Sequence, residues 1–210
     1  MTLVYPVTDD LRHDILSGRF EPGDRLLEVS LSKEYACGRA AIRSALVALT
    51  TEGLVVHAAN RGATVRRISI NEAIQITEAR AALEGLIASR AARNATPDDC
   101  IELQSIIASM GDAATAEGGH DYSALNARLH QRLCTMSGHD TAAELIANLR
   151  NRAAHHQYRL AVMPGRSQES LTQHSAIVNA VVAGDEAAAD AAMRAHLDSV
   201  IDVLSRWRDA

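Results

Sequence analysis

Residues 15–65 constrain this chain more than any other stretch, because three short elements follow one another there with turn chemistry between them. Residues 15–26 close one helix and turn through Gly18 and Pro22-Gly23. Residues 29–34 read as a short second helix and 39–52 as a third, each with apolar residues at helical spacing. Two short apolar runs then flank a polar tip, Asn60-Arg61-Gly62, where glycine tolerates the left-handed backbone of a tight turn. Helix, turn, helix and β-wing in this order predict a winged helix-turn-helix, with the third helix in a DNA major groove.

The ordered set Gly18, Pro22-Gly23, Leu26, Glu28, Leu31, Arg39, Ile42-Arg43, Ala45-Leu46, Leu49, Glu52-Gly53-Leu54, Asn60-Arg61-Gly62 and Val65 resembles the DNA-binding domain of the GntR family of bacterial transcription regulators. The resemblance implies a DNA-contacting set of Arg39, Ala40, Ala41, Arg43, Arg61 and Gly62. Arg39 and Arg43 stand four apart on one helix face, each suited to bidentate reading of guanine at roughly 1–3 kcal/mol of discrimination. Ala40 and Ala41 offer methyl groups to a thymine methyl. The chain departs from the family pattern at several positions, Ala40 and Ala41 among them. Gly38 replaces a capping serine, a loss of a few tenths of a kcal/mol. Ala36 replaces the usual turn glycine, and Val29 stands where an arginine often meets phosphate.

Charge sharpens this expectation. Residues 1–67 carry nine basic and eight acidic residues, whereas the rest of the chain carries twelve and eighteen. A head this near neutrality should bind arbitrary DNA poorly and depend on specific contacts and dimerisation. Aromatic residues make up only 3% of the 210-residue chain, which favours helix-on-helix packing over a large sheet. No apolar run is long enough to cross a membrane, and the N-terminus lacks a secretory pattern. Cys37, Cys100 and Cys134 form no CxxC pair and read as reduced thiols of a cytoplasmic protein.

Residues 68–210 read as an all-α antiparallel bundle of six helices, near 70–94, 97–116, 122–137, 141–161, 170–183 and 186–208. Thr96-Pro97-Asp98, Gly118-Gly119, Ser137-Gly138, Pro164-Gly165 and Gly184-Asp185 mark the breaks. The expected fold is therefore mainly α, with a DNA-binding domain over 1–67 and the bundle over 68–210.

Within the bundle, Asn126 and His130 share a helix face, His174 opens the fifth helix, and His196 lies midway along the sixth. An amide oxygen and three imidazoles from three helices can bind a divalent metal, although isolated histidines are more often core or surface residues. The segments Leu125–Leu129 with His130, Gln173-His174-Ser175-Ala176-Ile177 and Met193-Arg194-Ala195-His196-Leu197 resemble the FCD effector domain of the FadR branch, nearest its VanR-like subgroup. Glu78-Ala79-Arg80 with Leu83-Glu84 resembles that domain's opening helix. The resemblance implies a metal site of Asn126, His130, His174 and His196, with asparagine where aspartate is usual. Zinc, nickel or manganese would suit such donors.

A metal there would attract a small carboxylate effector, with Arg80 and Arg152 as candidate second contacts. The sequence therefore reads as a homodimeric repressor that binds an inverted-repeat operator in double-stranded DNA and responds to an organic acid. A regulator in which the metal itself is the signal is the alternative. A metal-dependent hydrolase is the remote one, since no His-Glu-x-x-His, Gly-x-Ser-x-Gly or phosphate-cradling loop is present.

Overall fold

The computed structural model describes residues 5–58, 62–115, 120–153, 156, 159–160, 163 and 165–208. Among the described residues it holds nine α-helices and one three-stranded sheet. Contacts group residues 1–69 and 148–158 into one unit, and 70–147 and 159–210 into a second.

The first unit begins with α1 (Tyr5–Leu16), followed by strand β1 (Arg25–Leu26), α2 (Glu28–Glu34) and α3 (Arg39–Thr51). Strands β2 (Val55–Ala58) and β3 (Gly62–Val65) form an antiparallel hairpin, and β1 pairs antiparallel with the other edge of β3. Val7, Leu11 and Ile15 recur every four residues on α1, and Ile42, Ala45, Leu46 and Leu49 make the facing stripe of α3. Leu26, Leu31, Leu54, Val55, Ala63 and Val65 close the same core from the strands and α2. Arg12 fastens α1 to the end of α3, its Nε and Nη2 each donating to Glu52 at 2.7 Å.

The turn between α2 and α3 is tied by Ser32, whose hydroxyl donates to the Cys37 carbonyl. Ala36 sits in that turn at φ 48°, a left-handed conformation that disfavours a Cβ. Gly38 precedes α3 in an extended conformation and supplies no side-chain cap, as its lack of an oxygen requires.

The second unit holds α4 (Ile70–Asn94), α5 (Pro97–Thr115), α6 (His120–Ser137), α8 (Arg166–Val182), α9 (Glu186–Arg208) and most of α7 (Asp140–Arg152). Thr96 and Asp99 cap α5 reciprocally: the Asp99 carboxylate accepts from the Thr96 amide at 2.9 Å, and the Thr96 hydroxyl accepts from the Asp99 amide at 3.3 Å. The Thr96 hydroxyl also donates to the Asp99 carboxylate at 2.7 Å, and this bond, with the one from the Thr96 amide and with Arg132 nearby, holds Asp99 below the usual carboxylate range. Ile87, Leu103, Ile106, Met110, Leu129, Leu133, Ile177 and Val181 form the apolar core.

Two bundle boundaries differ from the sequence reading by four residues or more. The fourth bundle helix ends at Arg152 and not near 161. The fifth starts at Arg166 and not near 170, because Gly165, at φ 77°, lets the helix begin directly after the break. That earlier start draws Arg166 and Ser170 into the buried side of α8.

Candidate functional site

In the first unit, α3 presents Arg39 and Arg43 outward, with side chains 62% and 65% exposed. Both lie over Glu28, the first residue of α2. Arg43 donates from Nε at 2.9 Å and from Nη2 at 2.8 Å, and the Arg39 guanidinium stands 3.6 Å from the same carboxylate. The hydrogen bonds from Arg43, helped by Arg39, hold the Glu28 carboxyl below its usual range. Ala40 is exposed, but Ala41 is turned partly into the head and packs against its core. The two adjacent methyl groups are therefore presented unequally at the helix surface. Gly62 is exposed at the start of β3 with φ 75° and open space around its Cα. Arg61 lies outside the described residues.

In the second unit, α6, α8 and α9 each place one histidine in the bundle interior. His130, His174 and His196 are 4%, 0% and 6% exposed, and one ring nitrogen from each lies within 4.8 Å of the others. Three long-range segments thus converge on a point that helical spacing alone would not join.

The outward nitrogen of each ring has its own partner. Nδ1 of His130 lies 2.8 Å from Glu84, whose other oxygen accepts from Arg80 Nε at 2.7 Å. Nδ1 of His196 donates to the Gln173 side-chain carbonyl at 2.8 Å. Nδ1 of His174 faces the hydroxyls of Ser170 at 3.3 Å and Tyr122 at 3.4 Å, both able to accept its proton. With the proton on Nδ1 in each ring, Nε2 carries the lone pair a metal requires. Burial, reinforced by the neighbouring His130, pushes His196 well below the ordinary histidine range and keeps it neutral.

Two observations test whether a metal suits these donors. Nε2 of His130 and Nε2 of His174 are 3.3 Å apart. Two metal–nitrogen bonds of about 2.0–2.1 Å at a tetrahedral angle span roughly that distance. Asn126 Oδ1, one helical turn before His130, is buried without a hydrogen-bond partner among the described residues. An orphaned buried acceptor costs about 1–3 kcal/mol unless something satisfies it. Donor chemistry, spacing and the orphaned oxygen all fit a divalent ion.

Arg80 is buried on α4 and reaches the histidines through Glu84, with which it forms an i,i+4 ion pair. Arg152, the other arginine expected at the ligand, groups with the first unit. Its side chain lies against Gly53 in the first unit, where an added Cβ would approach the Arg152 Cγ to 2.7 Å. His155 lies outside the described residues, whereas His156 is buried and its Nε2 donates to the Ile68 carbonyl at 3.3 Å. A cavity of about 360 Å³ in the first unit is lined by Arg66, Arg152 and His156 among others.

Sequence reasoning missed Gln173, Ser170, Tyr122, Arg166 and Ser199. Arg166 is 7% exposed and donates to the Ser199 hydroxyl at 3.0 Å, which donates to Gln173 at 3.1 Å. On a helical wheel these residues look like an ordinary polar face. Ser170 reaches His174 by i,i+4 spacing on α8, whereas Gln173 meets His196, and Tyr122 meets His174, only through the packing of α6, α8 and α9.

Residues 75–199 match the FCD domain family, and residues 4–65 match the family described as bacterial regulatory proteins, gntR family. The HTH-type transcriptional regulator LutR of Bacillus subtilis is 30% identical over 214 residues, covering 92% of this chain and 97% of that protein. The HTH-type transcriptional repressor RspR of Escherichia coli is 27% identical over 198 residues, covering 94% and 87%. The solved structure of E. coli McbR/YncC superposes with a TM-score of 0.83 over 99% of both chains at 23% identity, a likeness of fold.

Proposed function

The chain belongs to the GntR family of bacterial transcription regulators, in the branch that carries an FCD domain, and from that premise we propose that it is a homodimeric repressor controlled by a small organic acid bound at the histidine cluster. As a family member it is a DNA-binding transcription regulator and not an enzyme. Among the described residues no helix is long and apolar enough to cross a membrane.

One observation carries the effector reading: three buried histidines converge while each outward nitrogen is held by its own partner. Asn126, His130, His174 and His196 would hold zinc, nickel or manganese. The ion would supply a positive anchor for one carboxylate oxygen. Arg80 keeps guanidinium donors beyond the one given to Glu84, and it is the proposed partner for the acid's second oxygen. Glu84 is committed to Arg80 and His130, so it serves as an orienting acceptor and not as a base for hydrolysis.

On the DNA side, Arg39, Ala40, Ala41, Arg43, Arg61 and Gly62 are the proposed contacts. Two heads related by a two-fold axis would read an inverted repeat. The acid acts by binding the DNA-competent and DNA-released forms with different affinities, a coupling of about 1–3 kcal/mol.

Elemental analysis of the purified protein beside the His130→Ala/His174→Ala double variant tests the site. The expected result is about one metal per chain in the wild type and none in the variant. Equal metal in both would overturn the ligand assignment. Fluorescence anisotropy on an operator duplex then separates two signals. Release by small carboxylic acids supports an acid sensor, and release by chelator alone would show the metal itself to be the signal.

A further inference from the structure

The two arginines expected to read DNA are not free cations on a solvated helix. Arg43 gives the Nε–Nη2 edge of its guanidinium to Glu28 in a bidentate pair, at 2.9 and 2.8 Å. The Arg39 guanidinium stands 3.6 Å from the same carboxylate. The Glu28 side chain is 27% exposed, well below the 62% and 65% of the arginines above it. It therefore lies behind them, poorly placed to touch a base itself.

This geometry has two consequences. A guanidinium has five N–H donors in a rigid plane, and the grip on one edge leaves Nη1 outside the pair. Guanine is read by two parallel bonds from such an edge, so a fixed plane lowers the ordering cost of forming them. Meanwhile the carboxylate cancels charge that would otherwise attract phosphate of any sequence. Both effects raise the ratio of specific to nonspecific binding, the first by strengthening one and the second by weakening the other.

We infer that Glu28 is a specificity-determining positioning residue of the DNA-reading head, holding Arg43 and Arg39 for base recognition while suppressing their affinity for DNA of arbitrary sequence. The inference rests on the reading that α3 contacts bases. It assigns a role to a residue that no DNA contact would reveal.

The test uses the full-length protein and two duplexes of equal length. One is the sequence that the wild type enriches from a randomised library, and the other is its scrambled counterpart. Binding is followed by fluorescence anisotropy across a potassium chloride series for wild type, Glu28→Gln and Arg43→Ala. Asp10→Asn, an exposed position on α1, controls for the change in charge. Thermal unfolding confirms that each variant is folded. Glu28→Gln is expected to bind the enriched duplex about tenfold more weakly and the scrambled duplex more tightly. Its salt slope on scrambled DNA should be steeper by about one for each released arginine.

A surface ion pair without a role in recognition would leave the ratio of the two affinities unchanged, or shift it only as Asp10→Asn does. Either result overturns the inference. If the wild type enriches no sequence, or Arg43→Ala binds the enriched duplex like wild type, the base-reading assignment itself fails.

Discussion

Glu84 and His130 meet at 2.8 Å in the bundle interior, each less than 5% exposed, and Arg80 completes a buried chain of three charged or polar groups. Such a chain is costly to build and costlier to break, because removing one member leaves another without compensation. Glu84→Gln keeps the shape but removes the charge facing Arg80. Urea unfolding of the metal-stripped protein should show a loss of about 3–5 kcal/mol. Metal affinity, measured by chelator competition, should fall about 10–100-fold as the tautomer control on His130 weakens. Full stability in this variant would mean that Arg80 finds a second anion nearby.

Asn126 separates affinity from stability. Its Oδ1 is buried and lacks a hydrogen-bond partner among the described residues. Asn126→Asp supplies a carboxylate ligand and should tighten divalent metal binding on the order of tenfold, about 1.4 kcal/mol. Without metal the same change buries an uncompensated charge and should lower the melting temperature. Thermal scans with metal and with excess chelator should therefore move in opposite directions relative to wild type. Movement in the same direction would place Asn126 outside the metal's reach.

The sequence carried much of this arrangement, and the physical reason for each success or failure is local. The five bundle helices bounded by Pro97, Gly138 or Gly184 were legible because those residues interrupt helical backbone wherever they stand. Asn126 and His130 were legible as a pair because i,i+4 spacing fixes a shared face. Their meeting with His174 and His196 depended on the resemblance to a known domain, since no local rule brings α6, α8 and α9 together. Gln173 and Ser170 were invisible because a polar residue partly buried by its neighbours has the same spacing as one facing water. The packing of Arg152 on Gly53 was likewise not legible, because no local rule joins residues about a hundred positions apart.

The reading head carries two local defects that substitution should repair. Ala36 holds φ 48° with a Cβ, where glycine would relieve about 1–2 kcal/mol of left-handed strain at some cost in chain entropy. Ala36→Gly should therefore stabilise the first unit by roughly 0.5–1 kcal/mol. Gly38→Ser adds the missing cap of α3 and should contribute a few tenths more. Hydrogen exchange on α2 and α3 would localise the gain. Loss of stability in Ala36→Gly would show that the turn relies on the rigidity of alanine more than it suffers from its strain.

The pH dependence follows from His196, which burial, with His130 alongside, holds well below its ordinary value of 6.5. Above that value the ring is neutral in both folded and unfolded chains, so folding is unaffected. As pH falls through 6.5 the unfolded chain takes up a proton that the folded protein refuses. Stability is thus present at neutral pH and lost on acidification, with a slope of up to about 1.4 kcal/mol per pH unit from this ring. Urea unfolding in excess chelator between neutral and mildly acidic pH should show the decline, and His196→Gln should flatten it by about one proton. Metal binding should weaken over the same range, because protons compete for the same lone pairs. An unchanged slope in His196→Gln would assign the titration to a different histidine.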